Sequence, residues 1–356
     1  MTRVKTCAVA VAGGMLLAGC TGGDDAGGGA TTAGAGSSVP ATGAAADLQE
    51  QYQRIVDAVL PSVVKIETDR GEGSGVVFDG QGHIVTNAHV VAGARRIRVT
   101  AASGGERMDA RLVGAFPPDD LAVVKVDGAS LKPAKWADSS KARVGQIVLA
   151  MGNPLGLAGS VTNGIVSALH RTVSTRGEGD FQGSTIADAI QTSAPINPGN
   201  SGGALVTLTG EVIGIPTAAA SDPSIGGAAN GIGFATPSNT VKRIVPQLIR
   251  SGEVTNSGRA ALGVVVRTIV DPESGRASAV AVVEVLEGGG AARAGIEEGD
   301  LILAVNGTPT PNQTALTTVL ANLEPGRTVT VRIREPDGTE REVKVTLGEL
   351  PASERP

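Results

Sequence analysis

From Ser62 to Ala235 the chain is a succession of short runs rich in valine and isoleucine, separated by glycine-bearing turns. The runs are Ser62 to Thr68, Gly75 to Phe78, His83 to Thr86, Arg96 to Thr100, Leu121 to Val126, Gln146 to Ala150, Val161 to Leu169, Ala204 to Leu208, Val212 to Ile215 and Gly231 to Ala235. About ten strands at this spacing, with no long helical pattern between them, fit two packed β-barrels better than any βαβ layout. The 51 glycines supply the turns, and because only 2% of residues are aromatic the cores must be built from Val, Ile, Leu and Ala. An amphipathic helix is expected before the barrels, over Asp47 to Leu60, and another after them, over residues 238 to 250, with Pro246 as its irregularity. Residues 251 to 258 are polar and read as a hinge. Beyond it, strands at Leu262 to Ile269, Ala279 to Val285, Leu301 to Val305, Thr328 to Arg334 and Glu342 to Leu347, with a helix at Thr314 to Asn322, make a small second domain. The fold class is therefore mainly β, with folded units over 47–252 and 258–350.

The N-terminus sets the compartment. Arg3 and Lys5 precede an apolar run from Ala8 to Leu17 that is too short to span a bilayer, so residues 1–19 read as an export signal. Leu17-Ala18-Gly19-Cys20 resembles the lipobox of bacterial lipoproteins, which implies a lipid on Cys20 and an anchor on the extracytoplasmic face of the cell membrane. Residues 20–46, dominated by Gly, Ala, Ser and Thr, cannot bury a core and read as a tether. Removing the signal removes Cys7 and leaves Cys20 as the only cysteine, so no disulfide forms within one mature chain. With a net charge of −5 and scattered Lys and Arg, no nucleic acid partner is expected. Three dispersed histidines and one mature cysteine form no metal cluster, and no cofactor is expected.

Gly199-Asn200-Ser201-Gly202-Gly203 carries the chemistry. Acyl transfer needs an exposed hydroxyl on a tight turn whose backbone N–H groups face the developing oxyanion, and flanking glycines permit that turn. The oxyanion turn is placed at Gly199, Asn200 and Ser201, with the N–H groups of Gly199 and Ser201 as donors. Alone, the pentapeptide is equally good β-turn chemistry. A serine needs a base, and an imidazole titrating near pH 6.5 suits the task. Of the three histidines, His83 and His170 read as surface residues, whereas His89, in Thr86-Asn87-Ala88-His89-Val90-Val91, can emerge at a strand end between two barrels. Asp120, leading into the apolar strand after Asp119, supplies the acid that orients the base; Asp119 reads as solvated. The order His, Asp, Ser is that of chymotrypsin-like enzymes.

Thr-Asn-Ala-His-Val-Val, Asp-Leu-Ala-Val-Val-Lys-Val, Gly-Asn-Pro-Leu-Gly, Ile-Asn-Pro-Gly-Asn-Ser-Gly-Gly-Ala-Leu and Gly-Ile-Gly-Phe-Ala-Thr-Pro-Ser together resemble the HtrA family of envelope quality-control proteases. The resemblance covers roughly residues 47 to 350. It implies a chymotrypsin-like double β-barrel with His89 as base, Asp120 as orienting acid and Ser201 as nucleophile, and an S1 pocket lined by Ile196, Ala218 and Ala219. It also implies a sensor loop at residues 171 to 184, a trimer built through the N-terminal segment, and unfolded proteins as substrates. Three positions depart from the family pattern: Ser193 stands for an aspartate, Pro216 for a residue with an N–H, and Ala219 for a larger aliphatic residue. Arg259-Ala260-Ala261-Leu262-Gly263-Val264 resembles the carboxylate-binding loop of PDZ domains, with Ala261, Leu262, Gly263 and Val264 expected to hold the C-terminus of a hydrophobic peptide. Two other readings stay open on sequence: a non-catalytic chaperone or scaffold that keeps the barrels and PDZ domain, and a lipid-anchored adaptor.

Overall fold

The computed structural model describes residues 42–102, 104–128, 130–153, 159–175, 183–197, 199–222, 227–271 and 275–350, without the side chains of 218–222 and 227–230. The export signal, Cys20 and the tether up to residue 41 lie outside the described residues, as do residues 176–182 of the expected sensor loop.

Helix α1 (Ala44–Val59) begins three residues before its expected start and buries Ile55 and Val59. Six strands then close the first barrel: β1 (Val63–Thr68), β2 (Glu72–Val77), β3 (His83–Thr86), β4 (Ile97–Ala101), β5 (Met108–Phe116) and β6 (Leu121–Val126), in spatial order β1-β2-β3-β6-β5-β4. Helix α2 (Ala88–Val91), a single turn, leaves β3. The second barrel repeats the plan with β7 (Ile147–Gly152), β8 (Ser160–Ser174), β9 (Thr185–Thr192), β10 (Ala204–Thr207), β11 (Val212–Asp222) and β12 (Gly227–Pro237), in order β10-β11-β12-β9-β8-β7. Small residues let the barrel walls close: a Cβ on Gly75 would meet Ile84 at 2.6 Å and Ile66 at 2.9 Å. The largest core cluster lies between the barrels, joining Phe116 and Leu121 of the first to Met151 and Ile215 of the second and to Val241, Ile244 and Leu248 of α3 (Ser238–Ser251). That seam is where a site with contributions from both barrels can be assembled.

Helix α3 runs through Pro246 and ends on Gly252, whose left-handed φ of 75° suits the residue. The segment expected as a hinge is tied back onto this helix: the N–H groups of Thr255 and Asn256 both donate to Gln247 Oε1, at 3.0 and 2.9 Å. Next come β13 (Ala260–Ala261), β14 (Val264–Val270), β15 (Ala277–Val285), α4 (Gly290–Arg293), β16 (Leu301–Val305), β17 (Thr308–Pro309), α5 (Gln313–Ala321), β18 (Thr328–Arg334), β19 (Glu340–Thr346) and β20 (Gly348–Glu349). Strands β14-β15-β16-β18-β19 form one sheet around a core of Val280, Ile302, Val331, Ile333 and Val345. Helix α5 packs against β8 and β9 of the second barrel.

Two expectations about polar residues are overturned. His83 is 5% exposed rather than at the surface, because Asp79 on the same turn accepts from its Nδ1 at 2.7 Å. Asp119, expected in solvent, is 2% exposed.

Candidate active site

The first barrel presents a histidine and a carboxylate as one unit. A 3-10 turn at Pro117–Asp119 delivers Asp120 in the left-handed region, φ 51°, a conformation Asp tolerates better than most residues but still at a cost. There it is fully buried and held from every side. His89 Nδ1 donates to Asp120 Oδ2 at 2.7 Å and the His89 backbone N–H donates to Oδ1 at 3.0 Å. Asn87 Nδ2 donates to the Asp120 carbonyl at 2.9 Å. The imidazole sits on α2, one turn past the strand end where it was expected, and its side chain is 33% exposed against 1% for Asp120. With Nδ1–H given to the carboxylate, the ring is held in the tautomer whose basic nitrogen is Nε2.

The second barrel supplies the serine and a further ligand for the carboxylate. Thr217 Oγ1 donates to Asp120 Oδ2 across the seam. The preceding Pro216 carbonyl accepts the Gly202 N–H at 2.9 Å, which fastens the serine turn to the same strand. On its other side the turn is docked on the first barrel, where the Ser201 carbonyl accepts the Ser74 N–H at 2.8 Å. Ser74 lies on β2, whose carbonyl accepts Thr86 Oγ1 at 2.7 Å, just before the helix that carries His89. His89, Asp120 and Ser201 are thus anchored to one junction of β2, β3, β6 and β11.

Gly199 has φ 99°, open only to glycine without strain. Among the described residues neither its N–H nor that of Ser201 donates to a backbone carbonyl. Asn200, grouped with the oxyanion turn on sequence, gives its N–H to the Asn197 carbonyl at 3.0 Å and is 2% exposed. Its N–H is thereby committed within the turn. Gly202 is the tightest point: at φ 81°, a Cβ there would meet the Ser74 carbonyl oxygen at 2.2 Å and Thr86 Oγ1 at 2.5 Å. Gly202→Ala is expected to cost about 1–3 kcal/mol from φ alone, with the clash in addition. The expected result is a lower melting temperature and turnover lost in the fraction that stays folded; wild-type turnover would refute it.

Of the expected S1 residues, Ile196 is 7% exposed and sits against Gly233, where a Cβ would meet its Cγ1 at 2.4 Å. The side chains of Ala218 and Ala219 lie outside the described residues; their backbone pairs with Phe234 and Gly233 on β12. Ser193, in place of an aspartate, accepts the Ile165 N–H on its hydroxyl at 3.0 Å and so still ties β8 to this wall. Pro216 lies at a register shift of the β11–β12 ladder. Among the described residues no cluster of His, Cys, Asp and Glu could hold a metal.

Within the residues expected as the carboxylate loop, Gly263 has φ 80°. The Leu262 and Gly263 carbonyls accept from Ala291 and Leu286 at 2.8 and 2.9 Å. Arg259, read on sequence as the start of that loop, is instead a plug in the protease. Its guanidinium donates to Asp119 Oδ1 at 2.9 Å, the Pro118 carbonyl at 2.7 Å and the Thr185 carbonyl at 2.6 Å, with both charged side chains buried. Burial pushes the Asp119 carboxyl up, against the opposing pull of Arg259 and then Arg243. Thr217 and Arg259 carry no sequence signal of these roles, because each acts through a contact about a hundred or more residues away.

Residues 73–215 match the family model of the trypsin-like peptidase domain, and residues 253–334 match that of the PDZ domain. Serine protease PepD of Mycobacterium tuberculosis is 41% identical over 332 residues, which cover 88% of this chain and 69% of that protein. A probable periplasmic serine endoprotease, DegP-like, of Brucella suis is 40% identical over 287 residues, 79% of this chain and 53% of that protein. The chain thus spans between 53% and 69% of the length of these two relatives. Among solved structures, HtrA-type protease AlgW with a decapeptide aligns at a TM-score of 0.57 and 32% identity, covering 85% of this chain and 99% of that one. The serine endoprotease from Yersinia pestis aligns at 0.55 and 32%, covering 88% and 100%. The two closed barrels, the serine turn at their seam and the PDZ unit packed beside them agree with these matches, and the chain belongs to the HtrA-type serine proteases, endopeptidases that carry a PDZ domain after a trypsin-like domain.

Proposed function

We propose that this endopeptidase cleaves unfolded or misfolded proteins outside the cytoplasm by acyl-enzyme chemistry, with Ser201 as nucleophile, His89 as general base and Asp120 as the acid that orients it. The observation that carries the assignment is the buried Asp120 carboxylate, which receives His89 Nδ1 from one barrel and Thr217 Oγ1 from the other, beside a turn whose Gly199 and Ser201 N–H groups donate to no backbone carbonyl among the described residues and are proposed to bind the oxyanion. A fluorophosphonate probe tests it directly. The wild type is labelled and Ser201→Ala is not; label on both would remove Ser201 from the role.

The extracytoplasmic setting rests on the export signal and on the likeness to the probable periplasmic endoprotease of Brucella suis. Attachment to the membrane through a lipid on Cys20, and a trimer formed through the N-terminal segment, extend the same reading. Ile196 with Ala218 and Ala219 forms the S1 wall, and because Ala219 replaces a larger aliphatic residue the pocket accepts Leu or Met at P1 more readily than Val. A peptide panel cleaved no faster at Leu and Met than at Val would overturn this.

The PDZ unit is proposed to regulate cleavage by capturing hydrophobic C-terminal peptides on Ala261, Leu262, Gly263 and Val264. AlgW, described with a decapeptide, is one relative captured with a peptide. Support within this chain comes from Arg259, which stands two residues before that loop and is bonded to Asp119, the neighbour of Asp120. Saturating peptide is expected to raise the rate on an unfolded reporter; equal rates with and without peptide, or after deletion of residues 258–350, would count against regulation.

A further inference from the structure

One fully buried residue outside the triad, Ser74 of β2, is bonded through every polar group it has. Its N–H donates to the Ser201 carbonyl at 2.8 Å, and its carbonyl accepts Thr86 Oγ1 at 2.7 Å. Its hydroxyl donates to the Gly199 carbonyl and accepts the Asn153 N–H at 2.8 Å. Because Asn153 occupies one lone pair, the hydroxyl proton is aimed at Gly199, and a chain of two bonds runs from the end of β7 through Ser74 into the serine turn.

The consequence follows from counting the turn's backbone groups. The Gly199 carbonyl is taken by Ser74 Oγ, the Asn200 carbonyl by the Gly203 N–H at 3.0 Å, and the Ser201 carbonyl by the Ser74 N–H. The Asn200 N–H is taken by Asn197. In a peptide plane the C=O and the N–H point opposite ways, so pinning the carbonyl of Asn200 aims the N–H of Ser201. The Gly199–Asn200 plane is pinned at both ends, by Ser74 at its carbonyl and Asn197 at its N–H. Glycine at 199 would otherwise leave that plane free among several conformations, since it lacks the Cβ that restricts other residues. The Asn197 bond within the turn and the Ser74 bond from outside it together select one of them.

We propose that the Ser74 hydroxyl is a positioning residue for the oxyanion hole: it fixes the Gly199–Asn200 peptide, the plane between the one that carries the Gly199 N–H and the one that carries the Ser201 N–H, and so sets the relative directions of the two donors. Ser74 touches no substrate and acts only through the turn. The proposal rests on Ser201 being the nucleophile. It also makes the hole a property of both barrels, since the clamp belongs to the first and the turn to the second.

Two variants of the full chain separate this role from packing. Ser74→Ala removes the hydroxyl, and Ser74→Cys keeps nearly the same size with a poor hydrogen-bond donor. Both are expected to lower kcat by about ten- to a hundredfold, short of the effect of deleting a donor outright. KM stays within about twofold, because the ground-state carbonyl uses the hole less than the tetrahedral intermediate does. Affinity for a peptide boronate, which forms a tetrahedral adduct on the serine, falls in proportion to kcat, while the melting temperature of Ser74→Cys stays near that of the wild type. Wild-type kcat in Ser74→Cys, or unchanged boronate affinity in a variant with lowered kcat, would overturn the proposal. Absence of fluorophosphonate label on Ser201 of the wild type would instead overturn the nucleophile on which it rests.

Discussion

Asp120→Asn lowers kcat by about four orders of magnitude with the fold retained, the loss typical when the acid of such a triad is made an amide. The bonds around Asp120 explain why so similar a side chain fails. Oδ1 accepts the His89 backbone N–H, and Oδ2 accepts His89 Nδ1–H together with the Thr217 hydroxyl. An asparagine has one acceptor and one NH2 to place in those two positions. Putting the NH2 at the Oδ1 position sets it against a backbone N–H that cannot turn away. The amide oxygen therefore goes there, and the NH2 faces His89 Nδ1, which must then accept. The Thr217 hydroxyl can rotate to accept as well, so nothing in the fold resists this arrangement. Its price is the wrong tautomer: the ring proton moves to Nε2, the nitrogen that should take the serine proton. Ser201→Ala removes the proposed nucleophile and is expected to cost about six orders of magnitude, and the double variant should lose little more than Ser201→Ala alone, because residues that act as a unit are not additive. Measured kcat for Asp120→Asn within tenfold of the wild type, with an unchanged melting temperature, would remove Asp120 from the triad.

The barrels were legible where a strand is buried on both faces. Strands β3, β6, β7 and β10 read as short, mainly apolar runs because nearly every residue in them is buried. Strands β5 and β9 did not. Met108–Phe116 carries Asp109 and Arg111 and is mostly half-exposed, and Thr185–Thr192 is built from Thr, Ala and Asp with few large side chains, so neither produces the pattern that marks a strand. Their place is fixed by neighbours, β6 and β4 for the first and β8 and β12 for the second. The same division holds at the site. Ser201, His89 and Asp120 stand in local patterns whose chemistry can be read from a few residues. Ser74 and Thr217 are ordinary strand residues in sequence, and what makes them matter is a partner on the other barrel. Asp119 misled for the related reason that its counter-charge, Arg259, comes 140 residues later. Solvation was the reasonable reading of an acid with no visible partner.

Arg259→Met is expected to destabilise the folded chain by about 3–5 kcal/mol, the range found when one member of a buried ion pair is removed. The side chains of Arg259 and Asp119 are 6% and 3% exposed, so water cannot replace the lost partner. Among the described residues Asp119 Oδ2 already has no hydrogen-bond partner, and losing Arg259 strands Oδ1 as well. The reverse change is milder. In Asp119→Asn the guanidinium keeps the Pro118 and Thr185 carbonyls, at 2.7 and 2.6 Å, and the neutral amide removes a carboxyl that burial had already pushed up. The sign of the pH effect follows from that direction. An acid whose folded pKa lies above its unfolded value contributes stability at low pH that is lost as pH rises through the folded pKa. Removing Arg259 raises the Asp119 carboxyl further, so Arg259→Met should fall short of the wild type by less at about pH 5 than at about pH 8. Urea midpoints at the two pH values measure it. An apolar pair, Asp119→Leu with Arg259→Met, should recover much of the loss, since replacing both charges removes the unpaired one. If Arg259→Met unfolded at the wild-type urea concentration, or if its deficit were larger at the lower pH, the contact that joins the root of the PDZ unit to the catalytic loop would not be the buried ion pair that its geometry describes.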